Sequence, residues 1–342
     1  MYPLDRGQWG PTVRIGHLRD ELGRLVDLDV IAGYRGPRRL ALARYALSGR
    51  LRGLDGIYVE SSSFLPAEAD VAFLALGRTL GRPVLTYVRD AYQLFPDDYP
   101  RSSWRQRAGA AAFGPAVRAL RAVSTRLAFP TRGLAEAVLG EAAGGEAVLL
   151  PPGAPAPVTV ARADGACELL FVGDARLPAH GADRLIDAVG RARERGAAVE
   201  LLVVCRPGQE PPPTHPEWLR LARAEGRQIH ALLPGVLASV IPRPRSAYND
   251  LALPVKLYEY LSYGRPLLVT DCTAQAAVVR DAGAGLVVGD DPEELAAAIV
   301  ELAGAGPETL ERWSDRARAA ASAASWRSRA ERVVELLAGS PS

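Results

Sequence analysis

The sequence predicts an α/β protein built from two doubly wound, Rossmann-like domains. Three observations carry that expectation. At 342 residues the chain is too long for one compact domain and suits two of about 150–170 residues each. Apolar runs of strand length alternate with helical stretches along most of the chain, as parallel strands with crossover helices require. A Pro/Ala/Gly-rich run near the middle has linker composition. The expected division is a first domain at 1–152, a linker at 153–165, a second domain at 166–320 and a terminal helical segment at 321–342.

The opening is unusual. A doubly wound domain should begin with an apolar strand feeding a glycine turn and a helix. Here Gly7 and Gly10 form the turn at once, Pro11 starts a helix, and Val13, Ile15, Leu18, Leu22 and Leu25 give it an apolar side. Either the start at Met1 omits the first strand or a shortened strand is tolerated. A strand is then expected over 26–33, a helix over 38–53 and a strand within LDGIYVESSS. A helix over 69–81 and the strand RPVLTYVRDAY follow, with Arg89, Asp90 and Tyr92 at its carboxyl end. Ligands of open α/β sheets bind at such ends. Asp97 and Asp98, in FPDDYP, read as a proline-bounded turn rather than a metal site. Helices at 116–121 and 132–139, with strands at 122–129 and 147–153, complete the first domain.

The second domain starts with CELLFVGDARLPAHGADRLIDAVGRARERG, which reads as strand, loop and helix, and VELLVVCRPG is the next strand. Gly181 would let backbone N–H groups approach an anion closely. A helix is expected at 218–225, a short strand at 228–233, a helix at 292–304 capped by Asp290 or Asp291, and a helical tail over 307–338.

Composition bounds the function. Apolar residues make up 48% and charged residues 23%, ordinary for a chain that buries full cores. No run of 18 apolar residues is present to span a membrane, and the polar, Gly/Pro-rich N-terminus does not read as a signal peptide. Cys167, Cys205 and Cys272 are odd in number and scattered, so buried thiols in a reducing cytoplasm are expected. Net charge is +2, but residues 35–52 hold six arginines and 101–132 seven, neither with an acid. Such stretches suit either solvated helix faces or contact with anionic lipid at the inner face of a membrane. Nucleic acid is not expected as a partner, since no stacking-aromatic module appears.

The most informative stretch is RPRSAYNDLALPVKLYEYLSYGRP, at 243–266. Among 40 arginines the chain has one lysine, Lys256, and one asparagine, Asn249. On a surface Arg replaces Lys freely; at a site the compact ammonium differs from the planar fork. Pro254 reads as the first residue of a helix whose apolar stripe includes Leu257 and Leu261, and Gly264 and Pro266 end it. Leu253 at the expected cap has no oxygen for the first-turn N–H groups. Free N–H groups, the helix dipole and an ammonium make a phosphate or diphosphate site. The plainer alternatives are Asn249 or Asp250 folding back as caps, and Glu259 as a surface helix partner of Lys256. Glu259 is otherwise placed to accept hydrogen bonds from a sugar diol.

The run LPVKLYEYLSYGRPLLVTD, followed by AGAGLVVGDDPEELAAAI, resembles the C-terminal domain of retaining GT-B glycosyltransferases of family four, in the branch with a P-x-K-L-x-E-Y-x-x-x-G-x-P segment. The resemblance implies two Rossmann-like domains facing across a cleft, with the terminal helix crossing back toward the first. It implies a nucleotide-diphosphate sugar donor, no cofactor, no metal, and a glycan or lipid-linked acceptor. Glu259 would bind the donor ribose, and Val255 and Lys256 would meet the diphosphate. Arg176, His180 and Gly181 would stand in the diphosphate loop, with Gly10 and Asn249 as further donor-binding candidates. Asp90 would face the sugar, and Arg89 and Tyr92 the acceptor. Asp90, Lys256 and Arg176 are thus the catalytic candidates. Two departures stand out: Leu251 replaces an earlier family glutamate, and Arg89 replaces a histidine. The function expected is sugar transfer with retention. The alternatives are a nucleotide-sugar-binding scaffold of little activity and a sugar-nucleotide epimerase. No G-x-G-x-x-G at a strand–helix junction supports a dehydrogenase.

Overall fold

The computed structural model describes residues 10–33, 35–61, 68–145, 147–212 and 214–339. The expected Gly7 turn and absent first strand lie outside these residues. Two compact units result, one of residues 1–153 with 326–342 and the other of 154–325.

The first unit contains α1 (Gly10–Leu25), α2 (Arg35–Leu47), β1 (Ile57–Glu60), α3 (Glu68–Thr79), β2 (Val84–Tyr87) and α4 (Trp104–Val123). β3 (Arg126–Phe129), α5 (Arg132–Leu139), α6 (Glu141–Gly145) and β4 (Val148–Leu149) follow. The strands pair in parallel in the order β1-β2-β3-β4. Leu18 and Leu22 of α1 cover one sheet face, as their spacing predicts, while α2, α3 and α4 cover the other.

Residues 26–33 do not form the expected strand; only Ala32 makes a bridge. Asp29 in this segment is held by Arg50 at 2.6 Å and by the Tyr45 hydroxyl at 2.5 Å, which draws the run toward α2. The α4 helix starts twelve residues earlier than expected. Its glycines and Pro115 obscured it, but Ser103 and Gln106 form a reciprocal capping box that fixes the start. Arg14, on the apolar side of α1, is fully buried. Its guanidinium bonds Glu60 at 3.1 Å and stacks 3.8 Å from the centre of the Tyr87 ring. Burial is the largest influence and opposes that charge, but Glu60, Tyr87 and Tyr58 together outweigh it and the pKa is raised.

The second unit contains β5 (Glu168–Val172), α7 (Ala182–Glu194), β6 (Glu200–Val204), β7 (Leu219–Ala222), β8 (Val236–Ile241), α8 (Ala247–Leu251) and α9 (Val255–Ser262). It continues through β9 (Leu267–Thr270), α10 (Thr273–Ala282), β10 (Gly285–Val288), α11 (Pro292–Ala303) and α12 (Pro307–Ala323). The last helix, α13 (Trp326–Ala338), packs on α1 within the first unit. The six-stranded sheet is wholly parallel among its described strands, ordered β10-β9-β8-β5-β6-β7. From β5 the chain winds outward through β6 and β7, then returns to β8 and winds the other way. The switch point therefore lies between β5 and β8. Residues 154–163 run over this unit outside helix and strand apart from a bridge at Ala154, with Val158 N–H bonded to the Ser262 carbonyl at 2.8 Å, and 164–165 form a turn.

Two expectations are corrected here. Residues 219–222 form an edge strand inside the expected helix, because pairing with β6 overrides the helix propensity of an Arg/Ala/Glu-rich run. Residues 226–231 and 233–235 are 3-10 turns rather than a strand, the first fixed by a Glu225–Gln228 capping box. Cys167 is only half-buried, whereas Cys205 and Cys272 are buried. Asp291, one of the two expected caps of α11, accepts a hydrogen bond from Glu293 N–H at 2.8 Å. Asp291→Ala is expected to cost about 1 kcal/mol, lowering the melting temperature of the full chain by about 1–2 °C.

Candidate functional site

The loop after β5 carries Gly173, Asp174, Arg176, His180 and Gly181; the loop after β8 carries Arg243; and α9 carries Lys256 and Glu259. These segments meet at the carboxyl ends of the two strands flanking the switch point, where open α/β sheets bind ligands. The Tyr260 hydroxyl accepts the Val172 N–H at 2.7 Å, fastening α9 to the end of β5.

Pro254 occupies the N-cap of α9, one residue later than the expected Leu253, and no side chain caps the helix. The competing caps are accounted for elsewhere. Asn249 is 3% exposed within α8; its amide donates to the Pro244 carbonyl at 2.8 Å and accepts from Arg243. Asp250 pairs with Arg245 at 2.7 Å. Ser246 caps α8 by accepting from Asn249 N–H.

The Lys256 ammonium sits 4.9 Å above the Phe171 ring. A Cβ built on Gly173 would lie 3.7 Å from Lys256 Nζ and 3.8 Å from both His180 Nδ1 and Phe171 Cζ, so all three groups surround one small space. Among the described residues, neither the Lys256 ammonium nor the Glu259 carboxylate has a hydrogen-bond or ion-pair partner, although both are partly buried. A surface helix pair does not describe them: each is half-withdrawn from water and left for something else to complete. Burial, then repulsion from Arg243, lowers the Lys256 pKa to about 7, against the pull of Glu259. Burial raises that of Glu259, opposed by Lys256.

His180 is neutral at pH 7. Burial, then Lys256, push its pKa down to about 4. Its Nδ1 lies 2.9 Å from the Asp174 carbonyl, an acceptor, so Nδ1 carries the proton and Nε2 the lone pair. Gly181 has φ +73, and a Cβ there would come within 1.8 Å of the Pro242 carbonyl oxygen. This contact welds the β5 loop to the β8 loop.

The structure thus brings together His180, Gly181, Val255, Lys256 and Glu259. Arg176 is turned aside: its guanidinium donates to the Gly208 carbonyl at 2.8 Å and lines a groove of about 880 Å³ with Glu210, Pro211 and His215. In the first unit, Arg89 and Asp90 pair with each other at 2.7 Å just after β2, and Tyr92 packs edge-on to Tyr99. Gly10 is the first residue of α1. Asp97 and Asp98 form a turn. Sequence reasoning missed Arg243, which is 7% exposed and also donates to the Ala252 carbonyl at 3.1 Å. An arginine between two prolines, just past a mostly apolar strand, was the available signal.

Residues 166–305 match the family model described as Glycosyl transferases group 1. All of them lie in the second unit. No curated protein matches the chain. Among solved structures it is similar to HepE from Anabaena in complex with UDP and glucose, at 12% identity and TM-score 0.66, over 99% of each chain. It is also similar to an α,α-trehalose-phosphate synthase (UDP-forming) from Burkholderia xenovorans in complex with glucose-6-phosphate, at 13% identity and TM-score 0.58, over 88% of this chain and 77% of that one. A sucrose-phosphate synthase from Thermosynechococcus elongatus gives 16% identity and TM-score 0.56, over 88% and 76%. At these identities the similarity defines the fold, which is GT-B.

Proposed function

We propose that the protein is a glycosyltransferase that takes a sugar from a nucleotide-diphosphate donor and passes it, with retention, to a glycan or lipid-linked acceptor. One observation carries this reading: an ammonium and a carboxylate, both partly buried and unpartnered among the described residues, stand on the uncapped first turns of α9 beside the glycine loop at a switch point. A diphosphate on Lys256 and the free N–H groups, with a ribose diol on Glu259, satisfies every group left open. Negative charge grows on the diphosphate as the glycosidic bond breaks, and Lys256, backed by the fixed charge of Arg243, stabilises it. No side chain is assigned as nucleophile, and the reading needs neither cofactor nor metal.

The test is binding of UDP, GDP, ADP and dTDP to the full chain by calorimetry. One of them is expected to bind, with roughly tenfold or greater loss in Glu259→Gln, as for a hydrogen bond to a charged group. If no nucleoside diphosphate binds, the donor reading is wrong. Affinity should also depend on pH. A bound dianion holds the proton on Lys256, whose free-protein pKa is about 7. Binding therefore weakens as pH rises above 7, by up to about tenfold per unit; below that, the terminal phosphate of the nucleoside diphosphate, with a second pKa of about 6, gains a proton and loses charge. His180, already neutral there, contributes nothing to that slope.

A specific observation favours a second reading, a donor-binding scaffold with little turnover. Asp90, the carboxylate expected near the sugar, is engaged by Arg89 where family members carry histidine. Nucleotide binding without transfer to any of a panel of acceptors would select it.

A further inference from the structure

A diphosphate and a ribose complete the open groups of α9, but one side chain of the site stands on the β5 loop and is left without a task. The half-buried ring of His180 borders the same small space as the Lys256 ammonium, beside Gly173. Its position is fixed from three sides. Nδ1 lies 2.9 Å from the Asp174 carbonyl, and the His180 N–H donates to the Leu177 carbonyl at 2.9 Å. The next residue, Gly181, is seated against the Pro242 carbonyl oxygen. With the Nδ1 proton given to Asp174, Nε2 offers a lone pair. Among the described residues nothing bonds to it.

The surroundings decide what that lone pair can meet. Burial, then the charges of Lys256 and Arg243, keep the imidazole neutral. Asp174, on the same loop, accepts the Arg176 N–H at 2.9 Å with its carboxylate and leaves the ring only its carbonyl. A neutral Nε2 turned toward a phosphate oxygen would set lone pair against lone pair, so the diphosphate is not its partner. Glu259, the acceptor on α9, is already matched by the ribose. Nε2 therefore needs a hydrogen-bond donor without positive charge, and a sugar hydroxyl is one.

We propose that His180 determines donor specificity: its Nε2 accepts a hydrogen bond from the hydroxyl of the transferred sugar that neighbours the phosphorylated carbon. That hydroxyl is the sugar's closest to the diphosphate held by Lys256. The inference rests on the donor reading and deepens it, since it assigns the donor a free hydroxyl at that carbon. A lysine or arginine in place of His180 would grip phosphate whatever sugar followed. A neutral imidazole reads the sugar and is indifferent to a bare nucleoside diphosphate.

The experiment is calorimetry on the full chain with whichever of UDP, GDP, ADP and dTDP binds, and with three of its sugar conjugates. The glucose and mannose conjugates carry the hydroxyl in its two orientations, and the 2-deoxyglucose conjugate lacks it. The parent should bind the better of the first two roughly tenfold more tightly than the third, as for a hydroxyl met by a built acceptor. In His180→Asn the side-chain amide still donates to the Asp174 carbonyl, but the second ring nitrogen is gone. This variant should bind the bare nucleoside diphosphate within about twofold of the parent, lose roughly tenfold for the preferred conjugate and no longer distinguish it from the 2-deoxy one. A histidine with a structural role alone would weaken every ligand together. A loss shared by the bare nucleoside diphosphate, a parent that does not distinguish the conjugates, or a variant that still does would overturn the proposal. If no nucleoside diphosphate binds the parent, the donor reading itself has failed and this inference falls with it.

Discussion

Lys256→Met should abolish measurable nucleoside-diphosphate binding by the full chain and lower turnover, once an acceptor is found, by about 10²–10³-fold, the scale of a lost charge-stabilising donor. The methionine keeps most of the apolar stem and removes the ammonium that sits over the Phe171 ring, so folding should be unimpaired. The variant is indeed expected to be slightly more stable near neutral pH, since a partly buried charge next to Arg243 disappears. That combination separates a ligand site from a structural lysine, which would cost stability when removed. Lys256→Arg should not rescue binding, because a planar fork must fit where Gly173, His180 and Phe171 already close around a point charge. Wild-type affinity for nucleoside diphosphate in Lys256→Met would remove the foundation of the transferase reading.

The second large effect is expected at Gly181→Ala. The backbone there is left-handed, φ +73, and the added methyl would meet the Pro242 carbonyl oxygen at 1.8 Å. A main-chain oxygen cannot rotate away as a side chain can. Backbone strain and overpacking together should cost about 2–5 kcal/mol, read as a drop in the melting temperature of the full chain. Donor affinity should fall with it, since the same movement parts the β5 loop from the β8 loop. A variant that melts and binds like the parent would show that the two loops are not coupled at this point.

Much of the second unit was legible because its signals are local. The run ELLFV followed by a glycine, and Pro254 ahead of Lys256 and Glu259, declare a strand end and a helix start without help from the rest of the chain. Where the answer was set at a distance, the sequence misled. Residues 219–222 have helical composition and become a strand only because β6 offers an open edge. The segment at 26–33 has a strand's composition, yet Arg50 and Tyr45 draw Asp29 to themselves. Arg176 looked like a phosphate ligand by position along the loop; in space it serves the Gly208 carbonyl. Arg243 was faint for the opposite reason. Only its place between two prolines distinguishes, among forty arginines, the one that packing desolvates beside the lone lysine.

Asn249 bears on how the protein ages. Its amide gives a hydrogen to Pro244 with one arm and takes one from Arg243 with the other, a two-way grip that a carboxylate of the same shape cannot reproduce. Deamidation, which takes up water and releases ammonia, would leave a carboxylate that keeps the bond from Arg243 but sets an oxygen against the Pro244 carbonyl. Stored material should then lose donor affinity ahead of any loss of folded structure. Tracking the small mass gain of deamidation alongside affinity would reveal it, and a loss of affinity without that gain would point to another cause.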